Sequence, residues 1–458
     1  MVYKVIGLMS GSSLDGLDIA YVHLQESPST KKEGLRKWEY SILWADCYPY
    51  SSEWRQTLAS AGDLSAFEYQ VLHTRYGHYL GEQVLRFIEE HNLHYQVQLV
   101  ASHGHTTFHS PEHKMTAQLG DGAALAATAK INVVSDLRAM DVALGGQGAP
   151  IVPVGERLLL QDYTFFLNLG GIANISAHFE RRAASDELRA GSNELQAASD
   201  KLQADQGRAG SFVAFDVCPA NRVLNELALL AGMEYDAGGE LASRGQVLEG
   251  LLQQLDGLAY YGKPYPKSLP NEFGTETVLP LIREAIEGKE GEGVDQGAEG
   301  GISIEDALRT YVEHVARQVV RAASGQLQAA SDKLQAASGE VRASSGELQA
   351  ASYKLQAETG EASGGGGGKM LVVGNEKKML VTGGGVHNTF LVGRLRALLA
   401  PLGIEVVVPD GQLADYKEAL VMALIGVLRW REENNVFASV TGASRDSIGG
   451  AVWIGQEA

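Results

Sequence analysis

The sequence predicts an α/β protein built from two regions, each around a mixed sheet. Three observations point there. Short apolar runs alternate with helical patterns along the chain, the arrangement of α/β proteins. The first two runs, 2–9 and 17–24, are joined by a Gly/Ser-rich turn, and an antiparallel hairpin at the start calls for a mixed rather than a purely parallel sheet. Strand-to-glycine transitions recur at Gly11, at Gly170–Gly171 and at Gly383–Gly384–Gly385. The 458 residues suffice for two domains, each with a substantial core.

Along the chain, 2–9 reads as a buried strand because it is short and almost wholly apolar, and 17–24 as its hairpin partner around the loop 10–15. A third strand is expected at 40–48, then helices at 54–59 and 65–90. Strand 96–101 leads into the polar segment Ser102–His103–Gly104–His105–Thr106, followed by a helix at 120–128 and a strand at 131–135. The second region begins near Asp136. Strands are expected at 165–168, 172–179 and 212–215, the last running into Asp216, and a helix at 221–230. A longer helix at 304–323 carries Leu308, Tyr311, Val312, Ala316 and Val319 at helical spacing. Then come strands at 370–373 and 379–382, a helix at 388–399, a strand at 404–408, a helix at 417–430 and a last strand at 436–440.

Two low-complexity repeats interrupt this pattern, at about 183–209 and 324–368. Leu327, Leu334, Val341, Leu348 and Leu355 recur every seven residues, and Leu188, Leu195 and Leu202 form a shorter copy. A coiled coil needs apolar residues at both a and d, whereas these units carry one large apolar residue each, and Gly325, Gly339 and Gly346 oppose helix. The pattern therefore favours a spliced-in repeat at a loop over a partner-binding coiled coil. Long loop insertions are tolerated because closure entropy grows slowly with length.

Composition narrows the function classes. Hydrophobic residues make up 45% and charged residues 21%, ordinary for a soluble protein. A net charge of -18 argues against nonspecific nucleic-acid binding. It leaves room for a phosphate ligand, which neutral backbone N–H groups can hold. Two cysteines, Cys47 and Cys218, do not make a disulfide scaffold. No stretch is long enough to span a membrane, and the N-terminus lacks the apolar core of a signal peptide, so a cytoplasmic location is expected.

Candidate chemistry follows from the glycine loops. In Ser10–Gly11–Ser12–Ser13 small residues let the backbone approach a phosphate and hydroxyls can donate to it, while Asp15 could orient a magnesium ion or its water. Gly170–Gly171 and Gly383–Gly385 repeat the theme. None fits GxxxxGK[ST] or GxGxxG, and spacing alone equally accommodates three tight turns. Asp216 at a strand end suits a general base, or a helix cap. His103, His105, His109 and His113 cluster without a zinc-site spacing, so no metal ligand set is assigned, and zinc-assisted hydrolysis stays a formal competitor.

Taken together, five segments carry a resemblance. GLMSGSSLDGLDIA (7–20), SHGHTTFH (102–109), SDLRAMDVALGGQGAPIVP (135–153), LNLGGIANIS (167–176) and TGGGVHN (382–388) are similar, in order, to the signatures of anhydro-N-acetylmuramic acid kinases. The resemblance implies the two-lobed fold of sugar kinases, actin and the 70-kDa chaperones, with ribonuclease H-like lobes and ATP and sugar in the cleft between them. The expected lobes are 1–134 with a returning 415–458, and 135–414.

It also implies the reaction: ATP- and Mg²⁺-dependent opening of 1,6-anhydro-N-acetylmuramic acid by water, with phosphorylation of O6 to give N-acetylmuramic acid 6-phosphate in peptidoglycan recycling. Asp216, in FDVCPAN, corresponds to the family's general base in a segment like FDTGPGN. Asn221 keeps its place, while Val217, Cys218 and Ala220 depart from the pattern and put the floor of the site in question. Gly11, Ser12, Ser13, Asp15, Gly170, Gly171, Gly383, Gly384 and Gly385 are implied at the nucleotide. Arg138, Asp141, Asn221 and Glu418 are implied at the sugar, Arg138 suiting a carboxylate because a guanidinium binds it bidentately. Lys263, Lys267 and Ser268 resemble a substrate-binding PxKS segment. Relatives are expected to be homodimers. The competing readings are a kinase for another anhydro or amino sugar, and a nucleotide-binding regulator without turnover.

Overall fold

The computed structural model describes residues 1–11, 14–27, 37–179, 211–264, 267–270, 272–288, 301–325 and 377–455. The repeats (apart from 324–325), the expected strand at 370–373, and Ser12 and Ser13 lie outside them. Strands β1 (Val2–Ser10), β2 (Gly16–Glu26), β3 (Trp38–Pro49), β4 (Leu99–Ser102), β5 (His105–Ser110), β6 (Met115–Leu119) and β7 (Val133–Ser135) belong to the first region. Strands β8 (Phe165–Leu169), β9 (Ile172–Phe179), β10 (Ser211–Pro219), β11 (Lys377–Thr382) and β12 (Ile404–Val407) belong to the second, and β13 (Ala451–Trp453) returns to the first.

The two mixed sheets share one wiring. The first is ordered β13-β7-β4-β1-β2-β3 and the second β10-β9-β8-β11-β12. In each, the opening strand lies centrally. Its antiparallel hairpin partner (β2 or β9) and the third strand (β3 or β10) lie on one side. Two parallel strands lie on the other, β4 and β7 or β11 and β12. The turns after β1, β4 and β7 therefore share one edge of the first sheet, and those after β8 and β11 one edge of the second. Ligands of open α/β sheets bind at this carboxyl edge, and here the glycine- and histidine-bearing segments lie.

Between the sheets runs the helix Gly411–Trp430, with Ala419 to Leu428 buried throughout. It lies on β1, β2 and β4 and also reaches β11 and the helix Pro153–Leu159. One apolar cluster joins Val5, Ala20 and Leu24 of the first sheet, Phe166 and Leu380 of the second, and Leu420, Leu424 and Leu428 of the helix. The approach is close enough to require glycine. A Cβ on Gly7 would fall 1.9 Å from the Ala419 carbonyl oxygen, one on Gly155 2.3 Å from Val421 Cγ2, and one on Gly426 2.5 Å from Ala101 Cβ. On the outer faces, the helix Ala66–Glu90 covers the first sheet and the helix 304–325 covers the second. No helix among the described residues is long and apolar enough to cross a membrane.

Most expected elements are present, with four differences. The strand expected at 212–215 continues through Asp216 to Pro219, so Asp216 sits within β10 rather than at its end. The central helix starts at Gly411 rather than 417 because Asp410 caps it, its carboxylate accepting from Leu413 N–H at 2.9 Å. No strand forms at 436–440. Val436 makes a single bridge to Ser447, Ala438–Thr441 closes a helical turn, and the last strand is β13, antiparallel to β7. The polar segment after β4 is itself a hairpin, β5–β6.

Gly7→Ala should lower stability by about 1–3 kcal/mol, the usual cost of overpacking, because the obstacle is helix backbone that cannot rotate away. Gly393→Ala, whose Cβ meets nothing within 4 Å in the helix Thr389–Leu399, should instead add roughly 0.5–1 kcal/mol. Urea-denaturation midpoints of the two variants check the pair.

Candidate active site

At the edge of the second sheet three segments meet. The carbonyls of Gly170 and Gly171, in the β8–β9 turn, accept from the N–H groups of Asn221 (3.1 Å) and Ala220 (2.8 Å). The Asn221 side chain donates to the Leu169 carbonyl at 3.0 Å. Gly383, at φ 85°, follows β11, where a Cβ would fall 2.3 Å from Asn168 Oδ1, and a Cβ on Gly385 would fall 2.6 Å from Leu169 Cβ. Gly170, Gly171, Asn221, Gly383, Gly384 and Gly385 thus form one patch, with Gly171 and Gly384 exposed. Bare backbone of this kind admits a phosphate at close range.

Asp216 lies on β10 opposite Asn174, at a bulge between Asp216 and Cys218. Its Oδ2 accepts from Leu269 N–H at 2.9 Å and from the Ser268 hydroxyl at 3.4 Å. Its own N–H donates to the Lys267 carbonyl at 3.1 Å, and Tyr260 Oη–H donates to its carbonyl at 2.7 Å. Burial pushes the carboxyl pKa up, and the Leu269 and Ser268 hydrogen bonds hold part of that rise back. A carboxylate poised in this way suits proton abstraction. Val217, Cys218 and Ala220, the departures from the family pattern, are buried in the apolar core beneath. Asp216 and Asn221 keep their places, and the Ala220 N–H bond to Gly171 makes its backbone part of the glycine patch.

The nearby PxKS-like segment is placed as support. Lys267 Nζ donates to the carbonyls of Tyr260 (3.2 Å) and Tyr261 (3.4 Å) and lies 4.6 Å from the Tyr260 ring centre. Lys263 is exposed, 5.8 Å from the same ring.

At the edge of the first sheet, Gly11 and Asp15 flank the β1–β2 turn, with Ser12 and Ser13 outside the described residues. Beneath it Ser10 is buried, accepting from Tyr50 Oη–H at 2.8 Å and lying 3.3 Å from His105 Nδ1. Burial drives the His103 and His105 pKa values down to about 4, so both rings are neutral at neutral pH. Asp18 on β2 was not singled out from the sequence. Its pKa is raised to about 6, by burial first, against a hydrogen bond with Cys47 and with added repulsion from Glu418, Asp15 and Asp415. The available signal was its position inside the first family segment, three residues after Asp15.

Glu418 connects the halves. It accepts from Asn168 Nδ2 at 3.1 Å, and burial raises its pKa. The neighbouring Lys417 makes a buried 3.1 Å pair with Glu156, which also accepts from Ser176 on β9. Arg138 follows β7 and is 8% exposed. Its Nε donates to the Gly148 carbonyl at 2.6 Å, one terminal nitrogen to Thr106 at 3.0 Å, and the other lies 3.3 Å from His109 Nδ1. Burial lowers its pKa to about 10, which keeps it charged at neutral pH. Asp141 is fully buried, and both oxygens are engaged, by Gly148 N–H and by the Thr441 hydroxyl, each at 2.7 Å. In this arrangement it braces the Arg138 segment from within the core.

The family model described as Anhydro-N-acetylmuramic acid kinase matches residues 3–185, 208–363 and 368–455. The chain belongs to this family. It is therefore an enzyme, an ATP-dependent kinase. The unmatched 186–207 fall in the first repeat and 364–367 in the glycine run, while the match continues through most of the second repeat. The chain is 35% identical over 301 residues to the anhydro-N-acetylmuramic acid kinase of Rhodopseudomonas palustris (strain BisB18), covering 61% of this chain and 71% of that protein. It is 31% identical over 324 residues to the same-named protein of Aliivibrio fischeri (69% and 76% covered). To that of Coxiella burnetii (strain Dugway 5J108-111) it is 27% identical over 464 residues, with 99% and 98% covered.

In the role of a base Asp216 would have to be ionised, and kcat/KM should then fall as pH drops through its raised pKa. Ser268→Ala removes a hydrogen bond that favours the ionised form, so the acid limb should move to higher pH by roughly a few tenths of a unit. A limb that moves down, or stays, in the measured pH–rate profile contradicts this assignment.

Proposed function

We propose that this chain opens the 1,6-anhydro ring of 1,6-anhydro-N-acetylmuramic acid with water and phosphorylates O6 with ATP, giving N-acetylmuramic acid 6-phosphate. The observation that carries the reading is Asp216: a half-buried carboxylate with a raised pKa, on the strand that runs into the Gly170–Gly171, Asn221 and Gly383–Gly385 patch. In this reading Asp216 takes a proton from water as the water oxygen bonds to C1. The C1–O6 bond breaks, its electron pair goes to O6, and O6 bonds to the γ-phosphorus as ADP leaves.

The second-sheet glycine patch would hold the β- and γ-phosphates through backbone N–H groups, with the Gly11 turn approaching from the first sheet. Arg138, charged and held by Gly148 and Thr106, would present its guanidinium to the lactyl carboxylate. Asp15 and Asp18 are hard oxygen donors of the kind Mg²⁺ takes, mostly through water. The ion would offset charge on the phosphates. We further infer an actin-like pair of lobes, 1–134 with 415–458 and 135–414, a reading supported by the shared sheet wiring and by the return of β13 to β7. The burial of the altered side chains Val217 and Cys218 in the core supports the anhydromuramic sugar over a different one. A silent regulator has no need of a base held by four hydrogen bonds.

Incubation with ATP, Mg²⁺ and the anhydro sugar in oxygen-18 water checks the reaction, with wild type beside Asp216→Asn. The expected product is a 6-phosphate with the label at C1, measured before anomeric exchange and lost in the variant. Folded, ATP-binding wild type that makes no product would overturn the substrate assignment.

A further inference from the structure

Behind Asp216 lies a buried polar chain in the apolar core of the second region. His314, on the helix 304–325, has a fully buried side chain. Its Nδ1 lies 2.7 Å from Asp256 Oδ1, at the end of the helix Glu249–Asp256. Its Nε2 lies 3.0 Å from Tyr261 Oη, and the two rings meet edge to face at 5.0 Å. Gln318 Nε2 donates to the same Asp256 oxygen at 2.7 Å, and Arg321 lies 3.6 Å from the other.

These partners fix the protons. Burial outweighs the pull of Asp256 and keeps the imidazole neutral, while the hydrogen bonds from His314 and Gln318 and the Arg321 charge outweigh burial and keep Asp256 ionised. The carboxylate can only accept, so Nδ1 carries the hydrogen. Nε2 then accepts from the Tyr261 hydroxyl, whose proton burial holds in place. The ionisable groups facing His314 are thus Asp256 from one helix, Tyr261 from the turn Ala259–Gly262, and Tyr311 and Arg321 from its own helix.

The chain leads to the base. The Tyr260 and Tyr261 carbonyls hold Lys267 Nζ, the Lys267 carbonyl holds Asp216 N–H, and the next two residues hold the Asp216 carboxylate. Tyr311, stacked on His314, donates to the Pro219 carbonyl three residues beyond Asp216. An apolar core would pack as well without this charge, since a buried ion is retained at a desolvation cost.

We propose that His314, oriented by Asp256 and bonded to Tyr261, is a positioning residue for Asp216, fixing the turn whose backbone aims the carboxylate at the water. The inference rests on Asp216 being the general base.

Tyr261→Phe tests it, because the ring stays and only the hydroxyl leaves. Loss of a positioning bond should lower kcat by about tenfold, with KM for ATP and for the sugar held within about twofold and the acid limb of the kcat profile moved upward. His314→Gln, which keeps one donor and one acceptor, should retain more kcat than His314→Ala. Wild-type kcat and pH profile in Tyr261→Phe, beside an inactive Asp216→Asn, would overturn the proposal. So would a raised KM and lowered Tm with kcat unchanged. An active Asp216→Asn would instead remove the reading of the base on which the proposal stands.

Discussion

The helix Gly411–Trp430 lies so close to the first sheet and to the helix Pro153–Leu159 that side chains cannot fit at the crossing points, and the site depends on that closeness. Gly7, Gly155 and Gly426 remove the Cβ atoms that would hold it off. Its apolar residues then complete a cluster drawn from both regions, so neither sheet buries its inner face alone. Into this cluster the helix brings the charge of Lys417, matched by Glu156. Removing either partner would strand a buried ion, which is far more unfavourable than never having buried the pair. The result fixes Glu418, one residue on, against Asn168 at the end of β8. The position of the helix is thereby tied to the position of the glycine patch.

The site also follows from wiring. Each sheet puts its opening strand in the centre with parallel neighbours on one side, which gathers turns from distant parts of the chain at one edge. Residues 170 and 383 become neighbours for this reason, and 221 joins them because β10, antiparallel to β9, runs the same way as β8. Asp216 lies within β10, short of that edge, and has its own support. The Lys267–Leu269 segment gives it hydrogen bonds, and the Asp256–His314–Tyr261 chain holds that segment in turn.

Much of this was legible in the sequence where the signal is local. Apolar runs ending in glycine mark β1, β8 and β11, and an acid ending a run marks Asp216. What stayed illegible has physical reasons. β5 and β6 are short and partly exposed, so HTTFHS and MTAQL lack the apolar alternation of a half-buried strand. The run at 436–440 is apolar because Val436 packs under the central helix, not because it extends. Asp18 sits in a strand whose neighbours are apolar, and only the fold brings Glu418 and Asp415 near it. His314 lies on the buried face of an amphipathic helix, where periodicity shows Leu308, Tyr311 and Val312 but cannot show Asp256 opposite.

In the proposed reaction the carboxyl edges of the two sheets hold the phosphates while Asp216 faces the sugar. A crystal structure with a nonhydrolysable ATP analogue and 1,6-anhydro-N-acetylmuramic acid tests it most directly. The γ-phosphate is expected between the Gly11 turn and Gly170–Gly171, with a water within hydrogen-bond reach of both Asp216 and C1. A sugar bound with C1 turned away from Asp216, or a nucleotide bound away from the glycine patch, would contradict it.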